Sequence, residues 1–410
     1  MTTATASPTE TPTRAWGMLG LGVLAQASGT VLVSTPAFLI PLLHVDQGVP
    51  LARAGLLASA PTFGMVLMLV AWGAMADRWG ERWVIALGLA LTTVFAGLAM
   101  TTTHFGLLAA LFVLGGASAA STNAASGRVV VGWFPKNRRG LAMGIRQISQ
   151  PIGVTIAAIA IPPLASRFGI AGALALPVAL NLVLAGLCAL FIVNPPRPSA
   201  PHGERQAPGA GAASTPAHPN PYRRSWFLAR IHAVSVLLVI PQFTLSTFGL
   251  VWLISGYGWS AGAAGAVIAG SQFVGAMGRI VIGSTSDRFD SRVGLLRLVA
   301  VAGAVCMGVL GLLADTPWSG AAAAAFIVAT TISVADNGLA FTSVAEAAGT
   351  RWSGRALGIQ NTGQFVAASA VGPGVGALIA AVGYPLSFAL VALTPVLAIP
   401  LVPRRDVVDE

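Results

Sequence analysis

"GAMADRWGERW" occupies residues 73–83, and "GSTSDRFDSRV" occupies residues 283–293. Each phrase begins with Gly and runs through three residues to Asp-Arg and an aromatic ring. Each places a second Arg four positions after the first, and each follows a long apolar run. The two copies lie 210 positions apart. A phrase repeated at that distance points to an internal duplication of a long unit.

The composition says what the unit is made of. Only 9% of the 410 residues are charged, and the mean hydropathy is +0.79. A soluble surface needs far more charge than that. Apolar runs of the length that crosses a bilayer as a helix recur along the whole chain. Helices satisfy their own backbone groups in lipid, and these runs lack the alternation of barrel strands. The chain therefore reads as an all-α membrane protein, with the lipid bilayer as its surroundings.

Twelve spans are predicted, at 16–43, 53–76, 83–101, 106–132, 141–163, 171–193, 226–252, 261–284, 293–314, 318–345, 355–381 and 384–402. An even count puts both termini on one side. Alternate loops hold Arg78 and Arg82; Lys136, Arg138 and Arg139; Arg197, Arg205, Arg223 and Arg224; Arg288 and Arg292; Arg351 and Arg355; and Arg404 and Arg405. The opposite side holds only Arg53 and Arg167. By the positive-inside rule both termini are expected in the cytoplasm, in a multi-pass protein of the cell membrane. The net charge of +10 is thus an orientation signal, and nucleic acid is not expected as a partner.

A stretch rich in Pro, Ala and Gly, without apolar periodicity, separates spans six and seven. The predicted organisation is a disordered cytoplasmic tail (1–15), a six-helix half (16–193), a disordered linker (194–225), a second six-helix half (226–402) and a short tail (403–410). The repeat continues beyond the opening phrase. "LAMGIRQISQ" (141–150) opens span five and "RALGIQNTGQ" (355–364) opens span eleven, pairing Gly144 with Gly358, Arg146 with Gln360 and Gln150 with Gln364. Asn123 pairs with Asn337 in the same register. Parallel six-helix halves related about the membrane normal are a transporter architecture, with the substrate site between them.

With its spans, its linker and its loop phrase, the sequence resembles the major facilitator superfamily of secondary transporters. The family's loop motif G-x-x-x-D-R-x-G-R-R is matched by Gly73, Asp77, Arg78, Gly80 and Arg82, with Glu81 in place of one Arg. The second copy keeps Gly283, Asp287 and Arg288 and puts Asp290 where the Gly stands. "WFPKNRRGLAMGIRQ" is similar to the family's link between spans four and five. The resemblance implies the twelve-helix, two-half fold, alternating access, a gating role for the loop residues, and a cavity lined by spans one, four, seven and ten. It also implies a chain that works as a monomer.

Ionisable groups inside the spans carry the finer reading. A charge at the bilayer centre costs about 2.5–3.5 kcal/mol on insertion scales, so each is a functional candidate. Arg128, Arg146, Arg279 and Asp336 lie within spans, with Arg230 and His232 near the start of span seven. Arg146, Ser149, Gln150 and Gly153 share a helix face, as do Gln272 and Arg279. Snorkelling competes with a cavity position for Arg128 and Arg146. Further polar stripes run through Gln26, Thr30 and Ser34; through Ser118, Thr122 and Ser126; and through His232, Ser235, Gln242 and Ser246. The candidate substrate-binding residues are Arg146, Gln150, Gln272, Arg279, Gln242, His232, Gln360 and Asn337. Asp336, the one carboxylate well inside a span, is either a proton-coupling site or an ionised partner of an arginine.

Arginine forks grip carboxylates at two points, so the leading expectation is a transporter of a small organic anion. "GIRQ" resembles superfamily members that carry monocarboxylates or cyanate. The alternative within the superfamily is a proton-coupled drug exporter, whose span-five motif is only partly matched by Gln150, Pro151, Gly153 and Val154. A non-transporting sensor is the remote alternative. No P-loop or metal-spaced Cys/His cluster is present, and the two cysteines, Cys188 and Cys306, sit in apolar runs. No enzymatic activity and no cofactor or metal is expected.

Overall fold

The computed structural model describes residues 13–134, 142, 145–194, 220–289 and 291–406. Residues 1–12 of the predicted tail (1–15), residues 195–219 of the predicted linker (194–225), Gly144 and residues 407–410 lie outside the described residues. So do the side chains of Asp77, Arg128, Asp287 and Arg288, and what surrounds Gly283.

The described chain is helical from end to end. Ten segments are long and apolar enough to cross a bilayer. Two of them, Ile145–Phe191 and Ala356–Leu401, are 47 and 46 residues long, about twice what a crossing needs. Each folds back on itself. In the first, Gly153 packs against Ala27 and Thr30, while Asn181 Nδ2 donates to Ser28 O at 3.2 Å. Residues 153 and 181 would stand about 40 Å apart in a straight helix, yet both meet the middle of span one. The reversal falls at Gly169, whose φ of 67° and ψ of −160° suit glycine and not an L side chain. In the second, Gln360 bonds to His232 and Leu401 O accepts from Arg230 Nε, so both ends lie at the start of span seven. The turn between them is at Gly383, with φ 76°. Ten segments therefore make the twelve predicted crossings.

Outward faces are apolar: Val70, Leu190 and Leu312 are 77%, 70% and 81% exposed. Such side chains in that number mark a lipid-facing surface. The two halves are zipped together at the ends remote from the 73–83 loop. Span two (Leu51–Trp79) meets span eleven there. A Cβ on Gly55 would run into the Gly372 carbonyl, and Gly376 packs on Leu51. The Gly372 N–H donates to Ser59 Oγ at 3.1 Å. Gly265 of span eight approaches the Ala158 carbonyl of span five in the same way. Only glycine lets helix backbones come this close.

At the loop end the first motif is tied into its own half. Arg82 Nε donates to Ala189 O at 2.7 Å, and Arg82 N donates to Asn194 Oδ1 at 3.0 Å. Asn194 also packs on Gly80, whose φ is 83°. The loop residues thus bind the end of span six. Phe365 of span eleven packs on the cluster holding Met65 and Trp72 of span two, midway along the bundle.

Candidate functional site

Between the halves lies a two-lobed cavity, of about 150 Å³ in one lobe and about 200 Å³ in the other. Gln26, Asn123, Gln150, Gln242, Phe243, Arg279 and Phe365 line both lobes, so the space is continuous. One lobe reaches the zipped end, at Ala37, Phe38 and Ala58. The other reaches toward the loop end, at Arg146, Gln147, Phe341 and Asn361.

The walls repeat each other. In the first half, Gln26 Nε2 donates to Asn123 Oδ1 at 2.7 Å. In the second, Asn337 Nδ2 donates to Gln242 Oε1 at 3.1 Å. Both are pairs between the first and fourth helices of a half. Gln364 Nε2 adds a bond to Asn337 Oδ1 at 3.1 Å. In the first half the fifth-helix partner is charged instead. Arg146 Nη1 donates to Gln26 Oε1 at 3.3 Å and to Ser126 Oγ at 3.1 Å, and Ser126 Oγ donates to Gln26 Oε1 at 3.0 Å. Arg146 therefore faces the cavity and is held by the amide wall, which decides the question between cavity and snorkelling.

Arg279 stands on the opposite side. Span ten breaks after Ser333 and resumes at Asp336. A broken helix frees carbonyls at the end of its first piece. Arg279 Nε donates to one of them, Val334 O, at 3.3 Å. Its guanidinium lines both lobes. Two arginines, one from each half, thus border a shared space. No carboxylate is among the described residues that line it.

Asp336 is 1% exposed and opens the second piece of span ten, where the helix N-terminus favours a carboxylate. It does not line the central cavity. It borders a separate small pocket with Leu238, Pro241, Val299, Met307 and Pro395. Both carboxylate oxygens are buried without a geometrically complete hydrogen bond, and the backbone N–H groups of Asp336 and Asn337 lie toward them at the helix start. Arg279 acts on it electrostatically.

Of the candidate binding residues, Arg146, Gln150, Gln242, Gln272, Arg279 and Asn337 line the cavity. His232 and Gln360 do not. Gln360 is 1% exposed; it bonds His232 Nδ1 and Ser235 Oγ. The far ring nitrogen of His232 meets the Tyr222 hydroxyl at 3.0 Å. The network faces the interior of the second half, so the span-seven stripe divides: Gln242 and Ser246 turn to the cavity, His232 and Ser235 away from it. Asn361, Phe243, Phe365 and Gln364 also line the cavity and were not among the expected binding residues. Gln364 carried a signal, its register with Gln150. The two phenylalanines carried none, because an aromatic residue in a span is most simply a packing residue. Among the described residues no group of three or more His, Cys, Asp or Glu side chains is placed to hold a metal.

Comparison with known proteins agrees with this architecture. The chain is 43% identical over 391 residues to "Uncharacterized MFS-type transporter Rv2994" of Mycobacterium tuberculosis (strain ATCC 25618 / H37Rv), covering 95% of this chain and 85% of that one. It is 22% identical over 176 residues to the hexuronate transporter of Bacillus subtilis (strain 168), covering 43% of this chain and 41% of that one. Its fold matches a bacterial homolog of the human lysosomal transporter Spinster, solved in an inward-facing and occupied conformation, with a TM-score of 0.76, 15% identity and 96% of each chain covered. The model of the Major Facilitator Superfamily matches residues 21–373, and the chain belongs to that superfamily of membrane transporters.

Proposed function

We propose that the protein is a secondary transporter of a small organic anion, working by alternating access. Arg146 and Arg279 hold the anionic group, one from each half. The observation that carries this reading is the pair of guanidiniums bordering a cavity whose described lining has no carboxylate. A ligand that touches both halves biases their closure, which is what couples binding to the change of access. Each charge-assisted bond contributes about 1.5–3 kcal/mol. The hexuronate transporter is, by its name, a carrier of an acid, and its limited likeness supports the charge of the substrate, not the nature of its body.

Asp336 is the candidate coupling site, reached through Arg279 rather than through the substrate. Gly73, Asp77, Arg78, Gly80, Arg82, Gly283, Asp287 and Arg288 form the cytoplasmic gating loops, with both termini in the cytoplasm and the protein in the cell membrane. The alternative, a proton-coupled drug exporter, is less well supported: for a cationic drug a carboxylate would be expected in the cavity, none is among its described lining residues, and Asp336 borders a separate pocket.

The test is calorimetric binding of small carboxylates to folded Arg146→Gln and Arg279→Gln proteins. Each substitution is expected to weaken binding about tenfold or more, from the loss of a charge-assisted pair. Unchanged affinity in both variants rejects the anion reading.

A further inference from the structure

The two lobes differ in chemistry. The loop-end lobe is richer in amide and guanidinium groups, with Arg146, Gln147, Gln150, Asn361 and Gln364 beside Leu69, Val239 and Phe341. The lobe at the zipped end is more apolar, with Val33, Ala37, Phe38, Met65 and Val154 beside Gln272 and the amides both lobes share. It also holds hydroxyl side chains: three are turned to their own helices, while Thr330 Oγ1 is buried without a partner. Thr30 Oγ1 donates to Gln26 O at 2.9 Å, Thr122 Oγ1 to Ala119 O at 2.8 Å, and Ser246 Oγ to Phe243 O at 3.2 Å. A hydroxyl spent in this way has no proton left for a ligand, although its oxygen can still accept. Arg279 borders both lobes.

We infer that the substrate is an amphipathic monoanion: a carboxylate head between Arg146 and Arg279, with a compact apolar body, up to about an aromatic ring in bulk, in the lobe at the zipped end. The inference rests on the anion reading above and narrows it. A body of that kind buries apolar surface against Val33, Phe38 and Met65 while the head keeps its charge-assisted bonds. A polyhydroxylated acid would set several hydroxyls against Val33, Ala37, Phe38, Met65 and Val154 and lose part of its hydration there.

The experiment is calorimetry on the full chain in lipid nanodiscs with acetate, hexanoate, phenylacetate and glucuronate. Affinity is expected to rise from acetate to hexanoate by about fourfold for each methylene buried. Phenylacetate is expected to bind more tightly than glucuronate. Val33→Asn should weaken hexanoate and phenylacetate about tenfold and leave acetate nearly unchanged. Acetate binding also reports that this variant is folded; if it is not, the wild-type series decides alone. If glucuronate matches or exceeds phenylacetate while the arginine substitutions still weaken binding, the amphipathic inference is overturned and the anion reading stands. If no carboxylate binds, or binding ignores both arginines, the two fall together.

Discussion

The side chain of Arg279 bonds the backbone carbonyl of Val334 at 3.3 Å, across from span eight to the break in span ten. One guanidinium therefore has three neighbours: a freed helix carbonyl, the buried carboxylate of Asp336, and the cavity. Anything that draws the guanidinium into the cavity changes the surroundings of the break. On the roles proposed for Arg279 and Asp336, span ten stands next to the guanidinium that meets the substrate.

Replacing Arg279 should therefore affect more than ligand affinity. Arg279→Gln is expected to weaken carboxylate binding and also to destabilise the fold by about 1–3 kcal/mol, the cost of a buried acceptor left unsatisfied. Arg279→Lys keeps the charge but loses the planar fork, so it should recover part of the affinity and little of the stability. Thermal unfolding in detergent, run beside the calorimetry, checks both. Wild-type stability in Arg279→Gln would show that the Val334 bond contributes nothing.

Asp336 yields a prediction about energetics. Asn is the neutral isostere of a protonated aspartate and fits the same pocket. If a proton on Asp336 drives accumulation, Asp336→Asn locks the neutral form. Uptake driven by a proton gradient in proteoliposomes should then fall to the uncoupled level, while substrate counterflow persists. Accumulation that still follows the gradient in the variant rules out Asp336 as the coupling site. Loss of both activities together with a lowered unfolding temperature would instead mark it as a structural partner of Arg279.

The seam at the far end makes a conformational prediction. Gly55 and Gly372 approach so closely that a Cβ on either meets the other's backbone. Gly55→Val should keep spans two and eleven apart and raise the population opened at that end. Spin labels at Arg53→Cys and Ala380→Cys, with Cys188 and Cys306 replaced by serine, would report a longer mean distance in the valine variant. An unchanged distance distribution would falsify the assignment of this seam as the closure contact.

Much of this architecture was legible in the sequence because its signals are local. Apolar run length fixes the crossings, and the 73–83 and 283–293 phrases fix the repeat. The register that pairs Asn123 with Asn337 also indicated where both amide walls lie. Two features were not legible. The break after Ser333 carries no Gly or Pro, so nothing in "ISVADN" (332–337) signals that Asp336 turns away from the cavity. And a polar stripe on a helix with protein on several sides does not say which neighbour it faces, which is why His232 was grouped with Gln242.

That last point can be tested directly. Gln360 occupies the position of Arg146 in the repeat, yet it bonds His232 and Ser235 inside the second half. It is buried and is not among the described residues that line the cavity, although its neighbour Asn361 is. Gln360→Ala should therefore leave carboxylate affinity within about twofold while costing about 1–3 kcal/mol of stability, as the buried Ser235 and the half-buried His232 lose their bonds. Gln360→Met, which fills the volume, should restore packing but not the bonds to His232, and should lie between Ala and wild type. Calorimetry and thermal unfolding on the same preparations separate the two effects. A variant of full stability with lost affinity would return Gln360 to the binding site and reverse the division of the span-seven stripe. The expected result leaves the two halves unlike at this one position: a guanidinium facing the cavity in the first, and an amide locking the helix core in the second.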